Sequence, residues 1–168
     1  MSCDFKRWFA VRVRPNLEQS VRAALEGKGI EPFLPTYKER RTWSDRTKII
    51  EQPLFPGYLF CRTELAHRLP VLTTPGVKDI VGFGKVPAAI PDFEINAVRR
   101  FIEQDLNVRP WPFLHIGQPV TIQKGPLSGI QGVVEEFKGD YRVIVSISLL
   151  QRSVAAEVDG SWIRGMAA

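Results

Sequence analysis

Two cysteines, Cys3 and Cys61, and two histidines, His67 and His115, are the soft ligands and ready nucleophiles of this 168-residue chain. Such residues hold a metal or act in covalent catalysis when they cluster at short, regular intervals. These four do not, and both cysteines read as free thiols without a disulfide framework. No Walker lysine is present, nor a Ser-His-Asp arrangement with supporting loops. The Asp and Glu residues are scattered and usually neighbour Arg or Lys. The expectation is a protein that is not an enzyme, with no metal site and no cofactor.

The cations suggest a different chemistry. The net charge is +5, and all of the excess lies in residues 1–109, with 18 Lys+Arg against 13 Asp+Glu. Residues 110–168 hold five of each and are neutral. A basic field concentrates phosphate backbones and speeds encounter with them. Lys38, Arg40, Arg41, Arg46 and Lys48 crowd one short segment. They read equally well as a basic finger near nucleic acid or as a solvated edge guarded against aggregation. No apolar run approaches the roughly 20 residues that cross a bilayer. The N-terminus lacks the apolar stretch of a signal peptide, so the expected location is cytoplasmic.

Several elements must position these residues. Arg7 to Arg14 alternates as a strand, with Phe9, Val11 and Val13 on one face and Arg12 and Arg14 on the other. Pro15-Asn16 ends it and opens a helix with Leu17, Val21, Ala24 and Leu25 at helical spacing. Ile30 to Tyr37, interrupted by two prolines, is at best an edge strand. Tyr37 to Trp43 and Thr47 to Gln52 flank a turn at Ser44-Asp45-Arg46. Pro56-Gly57 turns into a strand that places Tyr58 and Phe60 together. A short helix within Glu64 to Leu72 is limited by Pro70. Thr74-Pro75-Gly76-Val77 turns into a strand over 79–83. Asp92 then caps a helix through Leu106, with Ile95, Val98, Ile102 and Leu106 as its apolar stripe. The first domain thus reads β-α-β-β-β-α over residues 1–106.

Residues 107–113 form a Pro-rich linker. Beyond them, residues 114–168 offer short strands at 118–123, 130–137, 141–147 and 153–158, with a fifth at 162–164. Gly turns separate them, which implies a small closed barrel. The loop from Gly125 to Gly132 is no phosphate loop, because no helix follows it. The expected fold class is α+β, an antiparallel sheet with packed helices followed by an SH3-like barrel. Residues 141–148 are rich in β-branched side chains, and Gly125, Gly129, Gly132 and Gly139 oppose a helix there. A stable, independent β-barrel is therefore expected.

Several motifs in one register resemble the NusG family of transcription elongation factors. They are Trp8-Phe9-Ala10-Val11, Phe55-Pro56-Gly57-Tyr58-Leu59-Phe60, Thr74-Pro75-Gly76-Val77 with Val81-Gly82-Phe83, and a KOW-type run from Val120 to Val134. The likeness covers nearly the whole chain. Through Leu149-Leu150-Gln151-Arg152-Ser153 it looks closest to the specialised UpxY and RfaH-type antiterminators. The resemblance implies docking on the clamp helices of the RNA polymerase largest subunit through Tyr58, Phe60, Phe83 and Ile95. It places His67 and Arg68 where specialised members touch the opposite pincer with a His-Thr-Thr-Thr run, which this chain lacks. It also places Arg14 and Arg22 where those members read the exposed non-template DNA strand. The neutral barrel would then recruit a ribosomal protein or a termination factor. Two alternatives stand beside this reading: a general NusG-like factor, and an RNA-binding, ribosome-associated KOW protein.

Overall fold

The computed structural model describes residues 5–104, 106–111, 118–137 and 140–163. Cys3, His115, Gly139, Arg164 and the Pro112-Phe113 part of the linker lie outside them. By contacts the chain forms two compact units, Met1–Asp92 and Phe93–Ala168.

The first unit is built on a four-stranded sheet in the order β2-β5-β1-β6, from Glu31–Phe33, Tyr58–Thr63, Arg7–Val13 and Val77–Ile80. Strands β1 and β5 run antiparallel at its centre, with Phe9 opposite Cys61 and Val11 opposite Leu59. Alternation turns Phe9, Val11, Val13, Leu59 and Cys61 to one face, where they pack with Val21 and Leu25 of α1 (Glu18–Gly27) and Val71 of α2 (Leu69–Leu72). The opposite face carries Trp8, Ala10 and Phe60, and it too is buried. The first strand and helix therefore match their sequence patterns. On that second face of β1 only Arg12 is open to water, and Arg14, just past the end of the strand, is exposed as well.

Strands β3 (Thr36–Thr42) and β4 (Thr47–Pro53) form a sheet of their own. The Trp43 N–H donates to the Arg46 carbonyl at 2.8 Å, which closes the expected turn at Ser44-Asp45-Arg46 ahead of β4. A second small hairpin joins β7 (Gly82–Phe83) to β8 (Val86–Pro87).

The second unit begins with α3, Asp92–Gln104. The sequence pattern grouped this helix with the first domain, but its polar contacts run to the strands that follow. Arg100 donates from both terminal nitrogens, at 2.8 Å each, to the carbonyls of Ser128 and Pro126. Glu94 accepts from the Ser148 hydroxyl at 2.9 Å.

A five-stranded antiparallel sheet follows in the order β10-β11-β12-β13-β9. Its strands are Gln118–Thr121, Gln131–Phe137, Asp140–Ile147, Arg152–Val158 and, at the edge, Arg109–Trp111. Antiparallel sheets with packed helices, followed by a C-terminal sheet of the SH3-like kind, match the expected α+β class. One expectation is corrected. The fifth strand comes from the linker, and Trp162 and Ile163, the described part of the expected strand, lie in no strand. Pro110 sits opposite Val154 on an edge strand, where its missing N–H costs no ladder bond. Gly160–Ile163 forms a 3-10 turn instead, and the Trp162 ring closes over Gly125. Gly125 has φ +84 and an added Cβ would lie 2.7 Å from the indole, so both conformation and space require glycine.

Candidate functional site

The Phe55-Pro56-Gly57-Tyr58 turn is the mechanical centre of the first unit. Gly57 has φ +83, and the Tyr58 N–H donates to the Phe55 carbonyl at 3.0 Å. Proline second and glycine third is the preference of a type II turn. The Gly57 carbonyl then accepts from the Val13 N–H at 2.9 Å, locking the start of β5 to the end of β1. Tyr58 pairs with Arg12 across the sheet, and Arg12 pairs with Asp79 on β6. The Arg12 Nε lies 3.5 Å from Asp79 Oδ1. A half-buried tyrosine and an exposed ion pair thus line up in one row.

Phe60, two residues on, is 0% exposed. Its ring meets Phe55 edge-on at 5.4 Å and Phe33 at 6.1 Å, and Phe33 meets Trp8 at 6.2 Å. These edge and tilted contacts are those that aromatic quadrupoles favour. Phe60 is therefore a core residue, not a surface anchor. Ile95 is likewise 0% exposed, on the buried stripe of α3 with Val98 and Phe101. Of the four residues expected to face a partner, only Tyr58 and Phe83 reach the surface.

Phe83 is 77% exposed and Val86, its partner across the hairpin, 64%. Gly84 at φ +62 makes the turn. An added Cβ at Gly82 would collide with the Val86 carbonyl, so the two strands close tightly beneath the exposed ring. Val86 was not anticipated as part of this surface, and only the strand pairing reveals it.

His67 and Arg68 stand beside one another on an exposed turn. The His67 Nδ1 is 3.1 Å from Glu64 Oε2, and Arg68 donates to the Leu65 carbonyl at 3.0 Å. Exposed Leu65, Leu69 and Leu72 flank them.

The nucleic-acid candidates separate into different settings. Arg14 is exposed at the end of β1. Arg22 is held on its own helix, 3.1 Å from Gln19 and 3.2 Å from Glu26. On the β3–β4 hairpin, Arg41 and Arg46 share a face and Arg40 points to the other, following the register Arg40 to Ile49 and Arg41 to Lys48.

Cys61 is the one thiol among the described residues. Burial pushes its pKa up to about 12, which removes it as a nucleophile. Among the described residues, no group of three or more His, Cys, Asp and Glu could hold a metal ion. Among the described residues, no helix is long and apolar enough to cross a membrane.

A family model described as "NusG: Transcription termination factor nusG" matches residues 6–99, more than half of the chain. The chain belongs to the NusG family. It is 24% identical over 164 residues to the transcription termination/antitermination protein NusG of Helicobacter pylori strain J99, covering 90% of this chain and 93% of that protein. It is 28% identical over 174 residues to the protein of the same name from Escherichia coli strain K12, covering 94% and 95%. A solved structure described as "Domain interaction in Thermotoga maritima NusG" superposes with a TM-score of 0.58 at 22% identity, over 94% of this chain and 95% of that one. That likeness bears on the fold alone. In this NusG-family chain the matched segment holds Tyr58 and Phe83 and all five candidate nucleic-acid arginines.

Proposed function

We propose that the protein is a transcription elongation and antitermination factor that binds RNA polymerase on the clamp helices of its largest subunit. The supporting observation is the contrast around β5. The sheet interior is filled by Phe55, Phe60 and Trp8, yet Phe83 is left 77% exposed and Tyr58 stays at the surface beside Arg12 and Asp79. An aromatic anchor ringed by polar groups is the usual composition of an energetic interface centre. Tyr58 and Phe83 are the anchors in this reading, and Phe60 supports the strand beneath them. His67 and Arg68 supply a polar bridge to the opposite pincer, and Ile95 stiffens α3. In functional terms residues 1–106 bind polymerase, and the sheet that takes in Arg109–Trp111 as its edge strand recruits a ribosomal protein or termination factor.

The protein performs no chemistry in this account. A factor that bridges two mobile parts shifts their equilibrium only by preferring one state, here the clamp closed on nucleic acid. Closed clamps pause less. Arg14, with help from Arg22, contacts the non-template DNA strand, and Arg40, Arg41 and Arg46 extend the basic field along the hairpin. The specialised, operon-specific role draws on the resemblance of the segment from Leu149 to Ser153. Transcription by purified polymerase on a pausing template, with and without the cognate element, tests the reading. Shortened pauses are expected, and unchanged pause lifetimes on both templates would overturn it. A genome-wide occupancy map showing a few operons supports the specialised role, whereas uniform occupancy supports a general one.

A further inference from the structure

Helix α2 is four residues long, Leu69–Leu72, and its own sequence does little to hold it. Isolated helices shorter than about 12 residues are marginal in water. Arg68 at its N-terminal boundary makes no side-chain cap bond, and its last turn carries no basic residue. Val71 is its buried side chain, whereas Leu69 and Leu72 are exposed. The carbonyls at the end of a helix also need donors from outside it. The Thr73 N–H donates to the Leu69 carbonyl at 2.9 Å and the Thr74 N–H to the Val71 carbonyl at 3.1 Å. These backbone donors pass over the Pro70 carbonyl.

Side chains fill that gap. The Pro70 carbonyl accepts from the Thr74 hydroxyl at 2.8 Å and from the Lys28 Nζ at 2.9 Å. The same ammonium donates to Thr74 Oγ1 at 2.9 Å, which closes a triangle around a buried threonine. Lys28 lies 42 positions before Pro70 in the chain. It stands just past α1, where its N–H donates to the Ala24 and Leu25 carbonyls at 3.2 and 3.0 Å. Its backbone is therefore fixed by one helix while its side chain caps another. Lysine is suited to this role, because its charge strengthens each hydrogen bond to a terminal carbonyl.

The exposed turn before α2 carries His67 and Arg68. Resting on the polymerase reading above, in which these two side chains bridge to the opposite pincer, we propose that Lys28 is their positioning residue. It touches no partner itself. It keeps α2 helical, and α2 fixes the turn, because the Val71 and Leu72 N–H groups both donate to the Arg68 carbonyl, at 3.1 and 3.0 Å. A turn ordered in advance does not have to be ordered on binding.

The test pairs hydrogen exchange of the full-length protein with its affinity for purified RNA polymerase. Lys28→Met keeps the length of the side chain and removes the donors, whereas Lys28→Arg keeps donors and charge. In Lys28→Met, amide exchange across residues 71–74 quickens by about tenfold while β1 and β5 stay unchanged, and Lys28→Arg exchanges as slowly as the wild type. Polymerase affinity falls by about fivefold in Lys28→Met, the scale of one or two side chains left to be ordered on binding. The same substitution costs much less in a His67→Ala, Arg68→Ala background, because the residues it positions are already gone. Unchanged exchange in Lys28→Met, equal quickening in Lys28→Arg, or the same loss of affinity in both backgrounds would each overturn the assignment. Absence of polymerase binding by the wild type would refute the polymerase reading, and the exchange result would then decide the clamp by itself.

Discussion

Two antiparallel sheets sit close together in the sequence of the first unit and are used in opposite ways. In the four-stranded sheet both faces are covered, so Phe60 and Trp8 are interior residues. In the β3–β4 hairpin neither face is covered at the tip, so Trp43 and Ile49 are open. The amino-acid types are alike in the two regions: aromatics, β-branched residues and arginines at period two. Burial decides their meaning. An aromatic in the first setting holds the scaffold, and one in the second is available to a partner.

The largest expected effect sharpens that contrast. Replacing Phe60 with Ala opens a cavity beside Phe33 and Phe55 and costs about 3–5 kcal/mol of stability. The matching change at Trp43 shifts stability by no more than about 0.5 kcal/mol, as for an ordinary surface site. Urea unfolding of the two variants measures the difference, and equal losses would erase the distinction.

Next in size is Gly125→Ala. The positive φ and the Trp162 ring both resist a Cβ, so the second unit loses about 1–3 kcal/mol. Thermal melting checks it. The same change at Gly84, where no atom lies within 4 Å of an added Cβ, carries the conformational cost alone and is milder.

How far these roles were legible in the sequence depends on what kind of signal each one leaves. The strand Arg7–Val13, the Pro56-Gly57 turn and the basic hairpin were readable because they rest on alternation and local backbone preference. Alternation names the residues that share a face but does not say whether that face is covered. For this reason Phe60 and Ile95 read as surface anchors and turned out to be core. The edge strand Arg109–Trp111 was hidden because Pro110 and its neighbours look like a spacer, and only pairing with β13 makes them a strand. The grouping of α3 was hidden for a similar reason. Its apolar stripe shows amphipathicity without naming a partner, and the deciding contacts of Glu94 and Arg100 reach residues 26 to 54 positions away.

The smallest effect is a pH dependence in the second unit. Burial raises the Glu94 pKa above its ordinary value of 4.5, against the opposing hydrogen bonds from the Ser148 hydroxyl and N–H. A carboxyl with a raised folded-state pKa is more stably folded when protonated. That contribution is complete below about pH 4.5 and disappears as pH rises through the raised value. Glu94→Gln removes the titration, so its stability relative to the wild type increases from acid toward neutral pH. Chemical denaturation at several pH values checks this, and a constant difference would show that Glu94 does not titrate differently on folding.

The central claim is that exposed aromatics beside a filled core bind the polymerase. The most direct measurement is the affinity of purified core RNA polymerase for the wild type and for the double variant Tyr58→Ala, Phe83→Ala, with circular dichroism and melting to follow the fold. Removing interface anchors commonly costs about 2 kcal/mol or more, so binding should weaken by at least about tenfold while the variant remains folded. A folded double variant that binds polymerase as tightly as the wild type would contradict the account.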